Sequence, residues 1–174
     1  MIEILILSFI QGITEFIPVS SSSHLIVISE YFKFSNQSLE IDVSLHIGSF
    51  IAVIFFFRSD IFNFIQNKDL FLKIIIGSIP VMITGYLLVE YDLIKEIRNI
   101  KIIGWTTLLF GILLFMSDKF ETKKTIDSSF TLKTAVIIGF FQVLSLIPGV
   151  SRAGITITGA RVLKFSRYDS AKIS

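Results

Sequence analysis

The chain has 174 residues, of which 52% are hydrophobic and 17% are charged, and its formal net charge is +2. Its mean hydropathy of +0.76 lies far above the balance of a soluble globular domain and indicates a membrane protein. With no cysteine and two histidines, the composition excludes disulfides, thiolate catalysis, cysteine zinc sites and histidine-rich metal sites. The basic residues form no stripe, so nucleic acid is not an expected partner.

The first apolar segment is interrupted near its middle. It runs from Ile4 to Ile17, breaks at the polar stretch 18–23 and resumes from His24 to Ser29. It lacks the basic region and cleavage site of a signal peptide, so we assign it to the working protein. Proline followed by small polar residues ends a helix, and the sequence therefore predicts a broken helix here.

Three uninterrupted apolar segments follow. About 20 helical residues cross a hydrocarbon core about 30 Å thick. The segments Leu70 to Val89 and Ile100 to Ser117 have about this length. The segment Val43 to Phe57 is slightly short, but local thinning of the bilayer accommodates it. The sequence therefore predicts three membrane-spanning helices between the two ends of the chain.

The last apolar segment is broken like the first. It runs from Leu132 to Ile147, breaks at 148–152 and resumes from Ala153 to Leu163. Matching interruptions in two halves of a membrane protein indicate an internal repeat whose site lies at the repeat interface. The two segments align at five positions: Phe9, Gln11, Ile17, Pro18 and Ser21 match Phe140, Gln142, Ile147, Pro148 and Ser151.

These elements predict an all-α, polytopic membrane helix bundle with two inverted-repeat, re-entrant (broken) helical hairpins. We expect a single integral-membrane domain over 1–174, with a first repeat over about 1–90 and the start of a second over about 100–174. The last residues, near Ser174, have the character of an interfacial stretch that leads into another element. We therefore expect the complete protein to continue with further helices.

Basic residues in the loops indicate an orientation. By the positive-inside rule, loops 58–69 and 118–131 are cytoplasmic, and loops 30–42 and 90–99 lie outside. The first broken segment then enters from outside and the second from inside, so that their tips are able to meet within the bilayer. The first pair of loops carries Arg58, Lys68, Lys119, Lys123 and Lys124, and the second pair carries Lys33, Lys95 and Arg98.

Polar residues at the two breaks are the candidate functional residues, because irregular backbone at membrane depth must be buried in protein or line a wet cavity. Glu15 follows Gln11 by four residues, so both project from one helix face. A carboxylate in hydrocarbon needs compensation. One interpretation is an ion pair with Arg152 or His24 that holds the broken segments together, and the other is a general base or metal ligand.

Arg152 stands at the start of the resumed helix of the second break. Its planar cation and the free backbone amides at a helix N-terminus both suit a phosphate. Ser151, Gly154 and Thr156 supply further donors or allow close approach. The alternative is an interfacial arginine that extends toward the headgroups.

The serine run 21–23 also has two interpretations. It caps the helix that resumes after it, or it supplies a nucleophile beside His24 and Glu15, as in serine–histidine–acid sites. His46 lies in an otherwise apolar segment, and we interpret it as a packed or hydrogen-bonded core histidine outside the site.

Two motifs carry a resemblance to a known family. The stretch from Gln11 to His24 (QGITEFIPVSSSSH) and the stretch from Pro148 to Thr156 (PGVSRAGIT) closely resemble the undecaprenyl-pyrophosphate phosphatase family associated with bacitracin resistance. The resemblance extends over essentially the whole chain. It implies an all-helical bundle with two inverted re-entrant hairpins, in a multi-pass enzyme of the bacterial cytoplasmic membrane.

The resemblance also implies an activity. Family members hydrolyse the lipid carrier undecaprenyl pyrophosphate to the monophosphate and inorganic phosphate, which recycles the carrier for peptidoglycan synthesis and confers resistance to bacitracin. The implied site opens to the extracytoplasmic side. The roles follow from position in the motifs. In the first motif, Gln11 stands at the first position and Glu15 at the second acidic position, while Ser21 is the implied nucleophile and His24 matches the family's histidine. In the second motif, the implied phosphate-binding loop contains Ser151, Arg152 and Thr156.

We expect Arg152 and its neighbours to hold the terminal phosphate while Ser21 or an activated water attacks it. Glu15 and His24 serve as proton acceptor and donor in an order left open. A divalent cation, Mg²⁺ or Ca²⁺, is an expected cofactor with Glu15 as its candidate ligand. Membrane lipids and a homodimer are further expected partners, and a polyprenyl-phosphate flippase is the alternative function.

Overall fold

The structure, a computed structural model, describes residues 2–35, 38–91, 93, 99–121 and 124–174. Lys95, Arg98 and Lys123, which entered the prediction of orientation, lie outside the described residues. The described ranges form helices and no β-strand. The helices are α1 (Ile2–Thr14), α2 (Ser21–Phe32), α3 (Leu39–Phe56), α4 (Arg58–Gln66), α5 (Lys68–Glu90), α6 (Ile100–Asp118), α7 (Ile126–Ser129), α8 (Leu132–Val143), α9 (Arg152–Val162) and α10 (Arg167–Ile173).

Three helices among the described residues are long and apolar enough to cross a membrane, namely α3, α5 and α6. They contain the three predicted spans almost entirely and extend two of them by several residues. Their apolar side chains are largely exposed, as Phe50, Ile83 and Leu109 illustrate. Such surfaces suit a lipid environment, because water does not tolerate contiguous apolar faces of this size. The predicted all-α membrane bundle is confirmed.

The first break is present but lies about three residues earlier than predicted. Helix α1 ends at Thr14 and α2 begins at Ser21, so the break comprises 15–20. The serine run belongs to the first turn of α2, because Ser20 adopts the extended N-cap conformation and its carbonyl oxygen accepts the first helical hydrogen bond from the His24 amide. The polar residues therefore begin the helix instead of interrupting it.

The second break agrees closely with the prediction. Helix α8 ends at Val143, a 3₁₀ turn covers Leu144–Leu146, and α9 begins at Arg152. The Ser151 hydroxyl accepts a hydrogen bond from the Gly154 amide at 3.2 Å and so caps α9. Two helix–break–helix units are thus present. Their re-entrant placement, their inverted relation and the repeat boundaries stay predictions.

Helices α5 and α8 cross in direct backbone contact. A Cβ atom added at Gly139 would lie 1.8 Å from the carbonyl oxygen of Gly77, and one added at Gly77 would lie 2.8 Å from that of Ala135. Residues without side chains allow helices in membranes to approach to backbone contact. This crossing fixes α8, and with it the start of the second break.

The buried core lies beside this crossing, in the C-terminal half. Its centre is Phe165, which is fully buried and meets Phe130 edge to face at 6.2 Å between ring centroids. The buried guanidinium of Arg161 joins three backbone segments, because it donates to the carbonyl oxygens of Asp118, Phe120 and Phe165. Helix α9 is therefore anchored at its C-terminal end as well as at its N-cap. The core consists of Phe130, Ala135, Ile138, Ala160 and Phe165.

The two breaks meet. A Cβ atom at Gly154 would lie 3.4 Å from the carbonyl oxygen of Pro18. Val19 and Ser20 share a narrow cavity of about 100 Å³ with Gly149 and Ser151. The polar residues of both breaks are consequently brought to one place in the bundle.

Candidate active site

A cavity of about 560 Å³ lies between the two breaks. The first break and α2 contribute Glu15 and Ser21 to its wall, and the second break contributes Ser151 and Arg152. His46 reaches it from α3. The cavity therefore combines an acid, a hydroxyl, an imidazole and a guanidinium from three separate parts of the chain.

Glu15 is compensated by two neutral donors. Its Oε2 atom accepts hydrogen bonds from the Ser21 hydroxyl at 2.7 Å and from the Gln11 side-chain amide at 2.8 Å. The side chain is 32% exposed and borders the cavity. Among the described residues Glu15 forms no ion pair with Arg152 or His24, so the predicted structural ion pair is wrong and the carboxylate remains available for chemistry.

Ser21 lies between Glu15 and His46. Its Oγ atom donates to Glu15 at 2.7 Å and lies 3.4 Å from Nε2 of His46. Its place in the first turn of α2 presents the hydroxyl at the end of the break. A hydroxyl bonded to a carboxylate and open to a cavity is the arrangement of an activated nucleophile.

His46 lines the cavity beside Ser21 and Glu15, whereas the sequence placed it in the core outside the site. Its Nε2 atom lies 3.6 Å from Oε2 of Glu15, and its Nδ1 atom lies 2.7 Å from the carbonyl oxygen of Asp42. A carbonyl accepts only from a protonated ring nitrogen, so Nδ1 carries a hydrogen, and Nε2 faces the Ser21 hydroxyl and the Glu15 carboxylate. An ionisable residue within a predicted membrane span is a functional candidate by default. The position of His46 in such a span is therefore the sequence signal that could have found it.

The structure does not bring His24 to the cavity. Its Nδ1 atom bonds to the carbonyl oxygen of Ser20 at 2.7 Å, one turn earlier in the chain. The ring is therefore held along its own helix, and His24 is absent from the residues that line the cavity. The role of His24 in proton transfer stays a prediction.

Arg152 is the cation of the site. It is exposed, it borders the cavity, and its side chain has no hydrogen-bond or ion-pair partner within the described part of the chain. Because it is the first residue of α9, the unpaired amides of a helix start accompany it. Cation and amides together suit a phosphate group.

Two predicted phosphate ligands do not reach the cavity. Thr156 is buried, and its hydroxyl lies 2.8 Å from the carbonyl oxygen of Arg152 and 2.9 Å from the hydroxyl of Ser174. Gln11 is 1% exposed and lies behind Glu15. Both face the inner side of their helices, so Gln11 orients the carboxylate and Thr156 bonds back along α9.

The side chains that line the cavity fit a divalent cation only in part. No cluster of three or more metal-binding side chains occurs among the described residues. Oε2 of Glu15 is occupied by two hydrogen bonds, whereas Oε1 accepts none from the described residues. One carboxylate oxygen suits an ion such as Mg²⁺ that takes its remaining ligands from substrate phosphate and water.

Comparisons with known proteins identify the family of the chain. Residues 4–174 match the model of the family described as bacitracin resistance protein BacA. An undecaprenyl-diphosphatase of Pelagibacter ubique (strain HTCC1062) is 52% identical over an alignment 174 positions long, which covers 99% of this chain and 68% of that protein. Proteins of the same name from Hahella chejuensis (42%) and Dinoroseobacter shibae (40%) are each covered to 69%, over 99% of this chain. The chain belongs to the BacA family.

Proposed function

We propose that the chain is an undecaprenyl-diphosphatase. It hydrolyses undecaprenyl pyrophosphate with one water molecule to undecaprenyl phosphate and inorganic phosphate, and so recycles the carrier lipid for cell-wall synthesis. Its family and the names of its relatives support the proposal. The observation that carries it is the Ser21–Glu15 hydrogen bond of 2.7 Å in a cavity that also contains the unpaired Arg152.

Phosphate binding is the first step of the proposed mechanism. The guanidinium of Arg152 and the leading amides of α9 bind the terminal phosphate of the substrate, with Ser151 at the edge of the same cavity. Charge accumulates on the phosphate oxygens during transfer, and preorganised donors stabilise it. Positioning and charge neutralisation supply most of the catalysis in this scheme.

Ser21 then attacks the terminal phosphorus, and its proton passes to Glu15. The bond from phosphorus to the bridging oxygen breaks, and undecaprenyl phosphate leaves. Its phosphate group has a second pKa of about 6, so the leaving group needs no obligatory proton donor near neutral pH. Water attacks the phosphoserine in a second step, and the bond from phosphorus to the Ser21 oxygen breaks. Glu15 returns to that oxygen the proton that it took in the first step, and the water protons leave with the inorganic phosphate, which releases one of them to the solvent.

A divalent cation is part of the proposal. Glu15 would hold it through Oε1, together with oxygen atoms of the pyrophosphate and water. When bound, the ion would neutralise charge on the substrate phosphates. Mg²⁺ and Ca²⁺ both suit oxygen ligands, and the proposal covers either ion.

The proposed setting is the cytoplasmic membrane, with the cavity open to the extracytoplasmic side. The apolar helices α3, α5 and α6 support a membrane location, and the positive-inside rule supports the orientation. The polyprenyl chain then lies among lipid tails while the pyrophosphate enters the polar cavity. Association of two copies remains a prediction without a structural argument.

Phosphate release from undecaprenyl pyrophosphate tests the function. The purified protein in detergent is expected to release phosphate, and Arg152→Ala is expected to release it about 10²–10³-fold more slowly. Arg167→Ala is the matched control, because Arg167 is exposed and bonds to Asp118 outside the cavity. No release by the folded parent protein, with the lipid still bound, would favour a flippase.

Trapping of labelled phosphate separates the two routes of attack. Label from the terminal phosphate is expected on Ser21 after rapid acid quenching. Full turnover by Ser21→Ala would instead support direct attack by water.

A further inference from the structure

Two threonines of α6 contact the second break from outside the motif. Oγ1 of Thr106 lies 2.6 Å from the carbonyl oxygen of Pro148, the nearest of three carbonyl oxygens around it. Thr107 donates to the carbonyl oxygen of Gly149 at 3.1 Å. Consecutive hydroxyls of one helix thus bind consecutive carbonyls of the break.

The backbone of the break is pressed against α6 at this point. Gly149 has a φ of +95°, and a Cβ atom there would lie 2.0 Å from Oγ1 of Thr106 and 2.7 Å from the carbonyl oxygen of Ile103. Only glycine adopts this conformation at such a distance without strain. Contact with α6 and the turn geometry of the break therefore depend on each other.

The direction of the carbonyls determines the direction of the amides. In a trans peptide the N–H points opposite to the preceding C=O. When the Pro148 and Gly149 carbonyls face α6, the amides of Gly149 and Val150 face away from it. The Val150 amide closes the turn onto the Ile147 carbonyl oxygen at 3.1 Å. The cavity lies on the side away from α6, because none of the residues that line it belongs to α6.

We infer that Thr106 and Thr107 are positioning residues of the phosphate site. They hold two carbonyl oxygens, which would repel an anion, on the side away from the cavity. With the break held in this way, the first turn of α9 and the side chain of Arg152 have a fixed orientation toward the bound phosphate. The inference rests on the proposed function, because that function assigns a phosphate group to this cavity.

Binding of inorganic phosphate tests the inference without turnover. The dissociation constant of phosphate is measured by calorimetry on the purified protein in detergent. Thr107→Val, which keeps the shape and removes the hydroxyl, is expected to weaken binding about 3–10-fold, as is Thr106→Val. Thr107→Ser, which retains the hydroxyl, is expected to bind within about twofold of the parent protein.

Thr84→Val is the matched control, because the Thr84 hydroxyl bonds only to the Pro80 carbonyl of its own helix. It is expected to leave phosphate affinity unchanged. Parent-like affinity in both folded valine variants would overturn the inference, as would a serine variant as weak as Thr107→Val. Loss of thermal stability with unchanged affinity would show a merely structural role and would also overturn it.

Phosphate release from undecaprenyl pyrophosphate tests the proposed function separately. A parent protein that binds inorganic phosphate through the threonines but does not cleave the lipid would contradict the proposed function and support the inference. A parent protein that cleaves the lipid, with KM and kcat unchanged in both valine variants, would support the function and overturn the inference.

Discussion

At the scale of single residues, the site is built around a carboxylate held by neutral donors. A charge in apolar surroundings is tolerated when hydrogen bonds replace its hydration. Ser21 and Gln11 both donate to the same oxygen of Glu15, which orients the carboxylate. An ion pair with Arg152 would have neutralised both groups and closed the anion site. Separation of acid and cation is therefore a requirement of the proposed chemistry.

The place of His46 beside Ser21 gives a prediction at the same scale. His46→Leu removes the ring nitrogen at 3.4 Å from the Ser21 hydroxyl and is expected to lower kcat about tenfold with little change in KM. His46→Gln supplies a polar amide on a side chain of similar reach and is expected to recover most of the rate. Steady-state kinetics of phosphate release measures both variants. Full activity of the leucine variant would restore the interpretation of His46 as a core histidine.

At the scale of elements, the second break is stabilised by a neighbouring helix that satisfies its backbone. Unpaired carbonyls are costly in a low-dielectric environment, so a break persists only where donors meet them. Thr106 and Thr107 meet the second break. The first break is shorter, and the Glu15 amide still bonds to the Gln11 carbonyl oxygen at 3.0 Å as a last helical turn. The broken helices are therefore packing arrangements as much as proline effects.

The turn at Gly149 gives the prediction for this scale. Gly149→Ala adds a Cβ at a positive φ and against α6, and it is expected to lower the free energy of unfolding by at least about 2 kcal/mol. Gly104→Ala on α6 is the control, because a Cβ there meets nothing within 4 Å. It is expected to be neutral or stabilising by up to about 1 kcal/mol. Reversible unfolding in detergent measures the stability of both variants. Equal stabilities would contradict the expected strain at position 149.

At the scale of the whole molecule, apolar side chains are used in two ways. A minority form the compact core around Phe165, and most, such as Phe55, lie on the outside of the helices. A soluble protein does not expose so many large apolar groups. Small residues at the α5–α8 crossing bring backbones together where hydrophobic burial does not drive association in lipid. The membrane thus explains both the surface and the interior.

The absence of cysteine from the chain makes the orientation directly testable. Single cysteines introduced by Ser35→Cys and Ser128→Cys lie in the loops that the charge pattern assigns to opposite sides. A membrane-impermeant thiol reagent is expected to label the first in intact cells, and the second only after permeabilisation. The reverse pattern would contradict the positive-inside prediction and an extracytoplasmic site.

Much of the fold and half of the candidate site are predictable from the sequence. The spans follow from the length of apolar runs, and the breaks follow from Pro18, Pro148 and the polar residues beside them. Glu15, Ser21 and Arg152 are identifiable because polar groups at membrane depth are rare. The start of α2 at Ser21 was missed, since serine is compatible with both a break and a helix N-terminus.

By itself the sequence determined which polar residue types interrupt the apolar segments, because hydrophobicity, proline and charge act locally along the chain. Only the tertiary structure decided which of them meet. His46 faces Ser21 because α3 packs beside the first break, whereas His24 bonds along its own helix. Gln11 and Thr156 carry suitable groups that face inward. Side-chain direction depends on helix rotation and on neighbours distant in sequence, and no local pattern specifies these.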